Sequence, residues 1–307
     1  MFETFASIEQ HLVSTGEKLT IALAGASDEV ALRAIVRAHR LGIADAILLG
    51  NAAETAKALE AVGGSASHFT IIDEPNEGGA AGAAIEAVED GEADVPMKGL
   101  MQTANFLMAL KFSSLCEDPE ALLNEVTVFH YPAQARLIVA GDCAVNVAPT
   151  LAEKVQITEN LIQVARDLGA DPVRVAALSV IEHATPSILS SMDARDLAVR
   201  DWGERVVVEG PLALDNVLDA EAAHHKGIES QVAGRADVIV MPGIHAGNVF
   251  HKAVHFFGRY DYASGLSGAA VPVVMNSRTD SAESKYNSIL LALLQAAAGD
   301  HARGVKR

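Results

Sequence analysis

The sequence predicts an α/β fold of two lobes, in which parallel or mixed sheets carry helices on both faces. Short aliphatic runs alternate with Ala-rich segments of helical periodicity along most of the chain, which is the order that parallel sheets covered by helices require. The chain has 307 residues, 50% of them hydrophobic, which suffices for one large core or two modest ones. One pair of runs flanks a short turn and predicts an antiparallel hairpin.

Ten strands are predicted, each as a run of β-branched or aliphatic residues between turn residues. The fifth and sixth form the hairpin, because the turn Tyr131-Pro-Ala-Gln separates them. Apolar residues at helical spacing predict helices over residues 151–168, 187–200 and 282–298. The ten strands, in chain order, cover residues 20–24, 46–50, 69–73, 93–97, 126–130, 137–141, 174–180, 205–209, 237–241 and 271–276.

The long helix that starts after Thr150 follows the hairpin and marks the predicted lobe boundary. Residues 1–146 and 264–307 are assigned to a first lobe, because the last strand and helix are expected to return to it. Residues 147–263 are assigned to a second lobe. No repeat of fixed period and no low-complexity linker divides the chain further.

The charge balance excludes one class of partner and allows another. Lys and Arg total 23 against 40 acidic residues, which gives a net charge of −17. A surface this acidic repels nucleic acid. It still allows an anionic small molecule, because a few convergent cations and a helix N-terminus reverse the field locally.

Two features predict a cytoplasmic protein. Cys116 and Cys143 are too few for a disulfide framework, which favours a reducing compartment. The first residues, Met1-Phe-Glu-Thr-Phe, contain an acid where a secretory signal has a basic start, and no apolar segment follows. No segment is apolar and long enough to predict a membrane span.

The loop after the last predicted strand carries the most informative polar residues. In open parallel sheets, ligands bind beyond the carboxyl ends of the strands, where loops lead into helices. Ser277 and Arg278 follow the strand here, and Asp280 with Glu283 resembles a capping box. The planar guanidinium of Arg278 suits a phosphate or acyl phosphate. The alternative is a polar turn with a surface arginine, and the local pattern leaves both open.

Two further loops carry residues suited to a ligand. After the ninth predicted strand, Gly247 and Asn248 open a helix that carries Lys252 one turn later, and the glycine would allow a ligand close to the backbone. After the fourth predicted strand comes Lys98, and Thr103 is placed to cap the next helix. The alternative in both loops is ordinary turn chemistry with solvated lysines.

Several other patterns are interpreted as structural. The Gly-rich segment at Glu77 lacks G-x-G-x-x-G spacing, so its glycines are expected to permit close helix packing. No Walker A sequence is present. His251 and His255 lie four residues apart without the glutamate of a zinc motif, so no metal site is expected. Cys143 has no Cys or His partner at a known spacing and is interpreted as a buried free thiol.

The motifs together resemble the phosphate acetyl/butyryl transferase family in order and spacing, from about residue 94 to the end of the chain. The runs that begin at Glu209 and at Ser277 are closer to the butyryl branch than to the acetyl branch. The segments that carry the resemblance are Met97-Lys-Gly, Gly141-Asp-Cys-Ala-Val-Asn, Glu209-Gly-Pro-Leu-Ala-Leu-Asp-Asn, Ala222-Ala-His-His-Lys-Gly-Ile, Val232-Ala-Gly-Arg-Ala-Asp, Ala246-Gly-Asn and Asn276-Ser-Arg-Thr-Asp-Ser-Ala-Glu-Ser-Lys.

The resemblance implies a fold, an assembly and a reaction. The fold would be like that of isocitrate and isopropylmalate dehydrogenases, with a cleft between the lobes, and the assembly a homodimer or higher homo-oligomer. The reaction would convert an acyl-CoA and phosphate into an acyl phosphate and CoA, with a butyryl or acetyl group. Coenzyme A would be a substrate, and no permanently bound cofactor is expected.

In such a reaction, Arg278 is assigned to the phosphate, with Lys98 and Lys252 as helpers. Ser277 is assigned to the developing oxyanion or the phosphate. No covalent acyl-enzyme is required, because the thiol of CoA is itself the nucleophile. The remaining substrate-binding candidates are Thr103, Gly247, Asn248 and Asp280.

The base that takes the proton from CoA is left open. In the acetyl branch, an aspartate thought to serve this purpose lies seven residues after the motif serine, and here that position is Ser284. The family usually has an acid after the proline of the second loop and Asn or Glu two positions further, where this chain has Gly243 and His245. His245 and Glu283 are preferred to Asp280, because histidine titrates near neutrality and Asp280 is expected to cap a helix.

Three rival functions are considered. An acyl transferase that takes its acyl group from a carrier protein would need a basic docking patch for that acidic partner. A net charge of −17 does not indicate such a patch. A decarboxylating nicotinamide-dependent dehydrogenase would need a carboxylate cluster for a metal. A non-catalytic acyl-CoA-binding sensor would keep the cleft without turnover, and the altered base positions leave this alternative open.

Overall fold

The computed structural model describes residues 1–116, 118 and 120–303, with side chains described as far as residue 299. The chain forms two compact units. The first unit comprises Phe5–Ala121 and the described part of Ala263–Arg307. The second unit comprises Met1–Thr4 and Leu122–Tyr262.

Strands and helices alternate through most of the described chain, as the sequence predicts. The strands are β1 Leu19–Ala24, β2 Ala44–Gly50, β3 Thr70–Asp73, β4 Val95–Lys98, β5 Asn124–Tyr131, β6 Arg136–Gly141, β7 Val173–Leu178, β8 Val206–Leu212, β9 Val238–Val240, β10 Tyr262–Ser267 and β11 Val273–Met275. The α-helices are α1 Phe5–Thr15, α2 Glu29–Arg40, α3 Ala52–Ala61, α4 Glu77–Glu89, α5 Thr103–Lys111, α6 Leu151–Asp167, α7 Leu189–Ala198, α8 Leu214–Leu218, α9 Ala220–His225, α10 Ile244–Ala253 and α11 Ala282–Arg303.

The sheet of the first unit is parallel except for β10. Its strand order is β3-β2-β1-β4-β11-β10. β4 pairs in parallel with β1 and with β11, and β10 runs antiparallel to β11. Lys98 lies beside Ala24 on one neighbour and Met275 on the other. The carboxyl ends of β1, β4 and β11 therefore share one edge.

The sheet of the second unit has the order β5-β6-β9-β7-β8. β5 and β6 form the predicted antiparallel hairpin, with Thr127 opposite Ala140. β9 pairs in parallel with β6 and β7. Because β5 runs against β6, the start of β5 lies at the edge where β6 and β9 end.

Helices bury the aliphatic strands of each unit. In the first unit, α2 packs on β2, α4 on β1 and α11 on β11. In the second unit, α6 packs on β6 and β9, and α7 on β7 and β8. The buried strands read as near-continuous apolar runs, such as Leu-Thr-Ile-Ala-Leu-Ala in β1, because both faces of a parallel sheet are covered. The predicted mixed α/β fold is confirmed.

The three helices predicted with explicit bounds are also confirmed, as α6, α7 and α11. α6 begins at a capping box, in which Thr150 Oγ1 accepts from the backbone N–H of Glu153 and the Glu153 carboxylate accepts from that of Thr150. This pair accounts for the accurate predicted start of the helix. None of the described helices combines the length and apolar character needed to cross a bilayer.

The structure differs from the sequence prediction in two respects. β10 was not predicted, because its sequence Tyr-Ala-Ser-Gly-Leu-Ser has few of the β-branched residues that mark strands. The division into units also falls elsewhere than the predicted lobe boundary after residue 146. The hairpin β5–β6 belongs to the second unit, because β6 pairs with β9.

Candidate active site

The predicted site residues are divided between the two units, and each set is described within its own unit. The first unit contains Lys98, Thr103, Ser277, Arg278, Asp280 and Glu283. The second unit contains His245, Gly247, Asn248 and Lys252.

The loop after β11 contains two exposed polar side chains, those of Ser277 and Arg278, and one buried carboxylate, that of Asp280. Asp280 is 4% exposed, and its Oδ2 accepts from the backbone N–H of Ser277 at 2.9 Å and from Asn276 Nδ2 at 3.2 Å. The side chains of Ser277 and Arg278 are exposed. Among the described residues, the Arg278 guanidinium has no hydrogen bond or ion pair with another protein group. It is therefore available to an anionic ligand.

Below this loop, a single serine joins three elements. Ser288 Oγ, on α11, accepts from the backbone N–H of Ser264 at 2.8 Å and from Asn276 Nδ2 at 3.0 Å. The same hydroxyl donates to the carbonyl oxygen of Ser284 at 2.9 Å. β10, the end of β11 and the first turns of α11 are thereby held together under the Ser277 backbone.

The predicted capping box of the last helix is wrong. α11 begins at Ala282, and Ser281 Oγ accepts from the backbone N–H of Ser284 at 3.1 Å, which makes Ser281 the N-cap. Asp280 instead turns back to the loop. The reason is that its carboxylate accepts hydrogen bonds from Ser277 and Asn276, two residues before the helix starts.

Glu283 lies at the surface and is engaged by an arginine. Its side chain is 57% exposed, and Arg37 Nη1 donates to its Oε2 at 2.8 Å. Arg37 Nη2 donates to Glu9 at 2.8 Å, and the guanidinium lies 3.8 Å from the centre of the Tyr286 ring. These contacts join α1, α2 and α11, and they give Glu283 a structural role.

Lys98 is the last residue of β4 and is 2% exposed. Its Nζ donates to the carbonyl oxygen of Gly99 at 3.3 Å. Burial, together with the positive charges of Lys285 and Arg278, lowers the pKa of Lys98, although Asp28 and Asp280 act in the opposite direction. Lys98 and Arg278 thus share one electrostatic environment at the carboxyl edge of the first unit.

A second buried lysine lies in the same region with a carboxylate partner. Lys285 is 1% exposed, and its Nζ donates to Asp28 Oδ2 at 2.5 Å. Asp28 follows β1 and caps α2, because its Oδ1 accepts from the backbone N–H groups of Val30 and Ala31 at 3.0 and 3.1 Å. The ion pair ties the first helix after β1 to the helix that follows the Ser277 loop.

Glu77 is a site neighbour that the sequence analysis did not identify. Its Oε2 accepts from the backbone N–H of Gln102 at 3.0 Å and from Asn105 Nδ2 at 2.8 Å. These hydrogen bonds lower the pKa of Glu77, with smaller contributions from the positive charges of Arg278 and Lys98. A glutamate at the start of a helix is too common in sequences to identify Glu77 as a neighbour of the site.

The predicted cap of α5 is wrong. Thr103 is the first residue of the helix, and the N-cap position is Gln102, whose side chain makes no capping hydrogen bond. The carboxylate of Glu77 instead holds the N-terminus of α5 from outside. Thr103 itself is exposed.

In the second unit, Gly247 permits close packing of α10 on the loop after β6. A Cβ atom at this position would lie 2.3 Å from the carbonyl oxygen of Asp142 and 2.9 Å from the Cα of Cys143. Asn248 Nδ2 also donates to the carbonyl oxygen of Cys143 at 3.2 Å. The loop after β6 therefore fills the space along the Cβ direction of this glycine.

That loop is wound around Asp142. Its Oδ1 accepts from the backbone N–H groups of Ala144 and Val145, and its Oδ2 from that of Asn146, at 2.8–3.0 Å. His245 is exposed in the first turn of α10, and Lys252 is half-buried further along the same helix. Helix α10 thus contacts the loop after β6 and carries the exposed His245.

A buried polar network lies beneath α10. Thr127 Oγ1 donates to Glu125 Oε1 at 2.6 Å, and His251 Nδ1 lies 2.8 Å from the same hydroxyl oxygen. When the hydroxyl proton goes to Glu125, the nitrogen of His251 is the donor to Thr127. His251 is therefore oriented toward β5 within its unit.

Cys143 is 1% exposed, which confirms the predicted buried thiol. Burial raises its pKa well above the usual value, and the charges of Glu125 and Asp142 act in the same direction. Within the described chain, no group of three or more His, Cys, Asp or Glu side chains is arranged to hold a metal ion.

Sequence reasoning found the polar residues that directly follow the strands and missed the buried ion pair. Ser277, Arg278 and Lys98 lie on one sheet edge, as expected from their positions after β11 and β4. Asp28 and Lys285 were not predicted, since 257 positions separate them and neither carries a local signal. Lys285 is the last residue of the motif that begins at Asn276. This position is the one sequence feature that indicates a role for Lys285 near the site.

Comparisons with known proteins show the family to which this chain belongs. The sequence profile of the phosphate acetyl/butaryl transferase family matches residues 79–293. Phosphate butyryltransferase of Clostridium acetobutylicum is 40% identical over 287 residues, which cover 92% of this chain and 95% of the relative.

Two solved structures resemble this fold. A branched-chain phosphotransacylase from Enterococcus faecalis aligns with a TM-score of 0.80 and 29% identity, over 91% of this chain and 99% of the other. 4-Hydroxythreonine-4-phosphate dehydrogenase from Klebsiella pneumoniae aligns with a TM-score of 0.56 and 14% identity, over 91% and 100% of the two chains. The likeness to this dehydrogenase concerns the fold alone. It agrees with the dehydrogenase-like fold that the sequence resemblance implies.

The fold and the polar loops at its strand ends define an α/β protein of the phosphotransacylase class. Among such proteins, the chain belongs to the phosphate acetyl/butyryl transferase family.

Proposed function

We propose that this protein is an enzyme that exchanges phosphate for coenzyme A on a short acyl group, converting an acyl-CoA and phosphate into an acyl phosphate and CoA, and the reverse. The observation that carries the proposal is the loop after β11. There Arg278 is exposed and makes no hydrogen bond or ion pair with another described protein group, and the buried carboxylate of Asp280 holds the Ser277 backbone. Family membership supplies the reaction class.

Arg278 binds the phosphate group in this proposal. A guanidinium presents two parallel N–H donors to two oxygens of one phosphate, and the described protein groups leave that fork unoccupied. Lys252 is retained as a helper from the second unit. Binding the phosphate stabilises it as a leaving group when sulfur attacks the acyl carbon.

Ser277 donates a hydrogen bond to the oxyanion that develops on the acyl carbonyl, or to the phosphate itself. Its hydroxyl lies 3.0 Å from Thr279 Oγ1 at the exposed surface of the loop, and its own backbone N–H is fixed by Asp280. Loss of one preorganised donor of this kind costs about 3–4 kcal/mol of barrier. The incoming thiolate is the nucleophile, so no acyl-enzyme forms.

The acyl group is expected to be butyryl or a similar short chain. The relative from Clostridium acetobutylicum is named for butyryl transfer, and the solved structure from Enterococcus faecalis for branched-chain transfer. The butyryl-like runs at Glu209 and Ser277 support the same choice. Acetyl remains the alternative substrate.

The setting of the reaction is part of the proposal. Coenzyme A is a substrate, no cofactor is permanently bound, and the protein acts in the cytoplasm as a homodimer or larger homo-oligomer. The small number of cysteines and the buried, unpaired state of Cys143 support a reducing compartment.

The decisive experiment is a turnover assay with CoA and acyl phosphates of two to five carbons, with the thioester detected directly. We expect thioester formation with a maximum at four carbons or a branched chain. A non-catalytic sensor would bind acyl-CoA without turnover. An enzyme that depends on a carrier protein would act only on the acylated carrier, and either result would refute the proposal.

A further inference from the structure

Two lysines of the first unit are buried to the same degree but have different partners. Lys285 is 1% exposed and is paired with Asp28 at 2.5 Å. Lys98 is 2% exposed, and the described groups offer its Nζ only the carbonyl oxygen of Gly99, at 3.3 Å. An ammonium carries three donors, and buried charges are normally paired because desolvation is costly. Lys98 therefore has donor capacity that the described protein groups do not fill.

The surroundings of Lys98 disfavour its protonated form. Burial is the largest cause of its lowered pKa, and the positive charge of Lys285 is the next. The two carboxylates that act in the opposite direction are already engaged. Asp28 is held by Lys285 and by two amides of α2, and Asp280 by the Ser277 backbone.

Lys98 also lies where a reacting group is expected. It ends β4 between Ala24 of β1 and Met275 of β11. The residues that follow Met275 lead directly into the loop that presents Ser277 and Arg278. In parallel sheets this carboxyl edge is the place where ligands bind.

We propose that Lys98, as the neutral amine, takes the proton from the thiol of coenzyme A; this inference rests on the proposed acyl transfer. The S–H bond breaks and the proton bonds to Nζ. The sulfur electron pair then attacks the carbonyl carbon of the acyl phosphate, and the carbon–oxygen bond to phosphate breaks with its electron pair leaving on phosphate. In the reverse direction, the ammonium returns the proton to the departing thiolate.

An amine suits this task better than the acids nearby. A thiol has a pKa of about 8.5 and a carboxylic acid one of about 4, so a carboxylate is a weak acceptor for a thiol proton. An amine whose pKa is lowered from about 10.4 is more closely matched, and matched acceptors are the efficient ones. Glu283 is in addition ion-paired to Arg37 at the surface.

Replacement of Lys98 by arginine distinguishes a role as a proton acceptor from a role as a positive charge. Lys98→Arg keeps a cation and its donors, but a guanidinium does not deprotonate in proteins. Since general-base catalysis contributes about 10²–10⁴-fold, we expect kcat for thioester formation to fall at least about 100-fold. The control is Lys57→Arg, on the exposed face of α3, which should match the wild type.

A rescue experiment then tests the chemistry in a variant that lacks the side chain. Lys98→Ala should regain activity with ethylamine, which is a base, and not with ethylguanidinium, which is only a charge. Rescue by both compounds, by neither, or by ethylguanidinium alone would overturn the assignment. Full activity of Lys98→Arg would do the same. Thioester formation by the wild type is measured first, so a failure of the proposed function is recognised separately.

Discussion

Arg278 and Lys98 are both basic residues of one sheet edge, and they differ in their contact with water. Arg278 is exposed on the loop after β11, whereas Lys98 is 2% exposed at the end of β4. An exposed guanidinium suits a strongly hydrated phosphate, which it can bind with two parallel hydrogen bonds. A buried amine suits a proton transfer away from water. The two residues are therefore assigned to different substrates.

Arg278→Lys should impair the use of phosphate far more than the use of CoA. A point charge cannot replace a bidentate fork, and the lost charged hydrogen bond corresponds to about a 10- to 100-fold decrease in kcat/KM for phosphate. Steady-state kinetics gives kcat/KM for phosphate in the direction of acyl phosphate formation, and kcat/KM for CoA in the direction of thioester formation.

The matched control is Arg200→Lys, because Arg200 is exposed at the end of α7 in the second unit. It should leave both kcat/KM values unchanged. An equal loss for phosphate and CoA in Arg278→Lys, or no loss, would remove Arg278 from its assigned role.

At the residue scale, the sequence predicts what local chemistry marks. Ser277 and Arg278 follow an apolar strand and are visible as polar residues in a strand-to-helix loop. The true function of Asp280 was not visible, because it depends on donors that only the folded loop brings to its carboxylate. The partner of Lys285 likewise depends on the pairing of strands that are far apart in the chain.

At the scale of elements, two helices contain a glycine for different reasons. In α10, a Cβ at Gly247 would lie 2.3 Å from the carbonyl oxygen of Asp142, whereas in α4 a Cβ at Gly82 would meet nothing within 4 Å. The first glycine permits close packing of helix and loop. The second has no steric requirement.

Gly247→Ala should therefore destabilise the protein by about 1–3 kcal/mol, as overpacking typically does. Gly82→Ala should stabilise it by about 0.4–1 kcal/mol, since alanine is the better helix former and reduces the entropy of the unfolded chain. Urea denaturation followed by circular dichroism measures both variants. Equal effects of the two substitutions would contradict the packing argument.

The element boundaries were predicted well where a cap or a buried run defines them, as for α6 and the hairpin β5–β6. β10 escaped prediction because its small and polar residues are buried by neighbouring strands and by Ser288, a tertiary effect. The hairpin belongs to the second unit for a similar reason. Its partner strand β9 lies about a hundred residues further along the chain.

At the scale of the whole molecule, the net charge of −17 dominates the long-range electrostatics. Like charges repel more in the compact state than in the unfolded chain, and salt screens this repulsion over about 10 Å at 0.1 M. The buried pair of Lys285 and Asp28 is shielded from salt by its burial. Added salt should therefore relieve repulsion with little cost to this pair.

The melting temperature at pH 7 should rise by a few degrees between about 0.01 and 0.3 M sodium chloride, by this screening argument. Scanning calorimetry provides the measurement. Near the sequence pI of about 5.0 the net charge is small. The salt effect should then vanish, and a fall in melting temperature with salt at pH 7 would contradict the argument.

The direction of α11 has a practical consequence for labelling this protein. The helix starts beside the Ser277 loop and continues for 22 residues to Arg303. At 1.5 Å per residue, its far end lies about 30 Å from Arg278. If phosphate binds at Arg278 as proposed, a fluorophore at the far end of the helix should leave phosphate binding unchanged, whereas one at Ser281 should impair it.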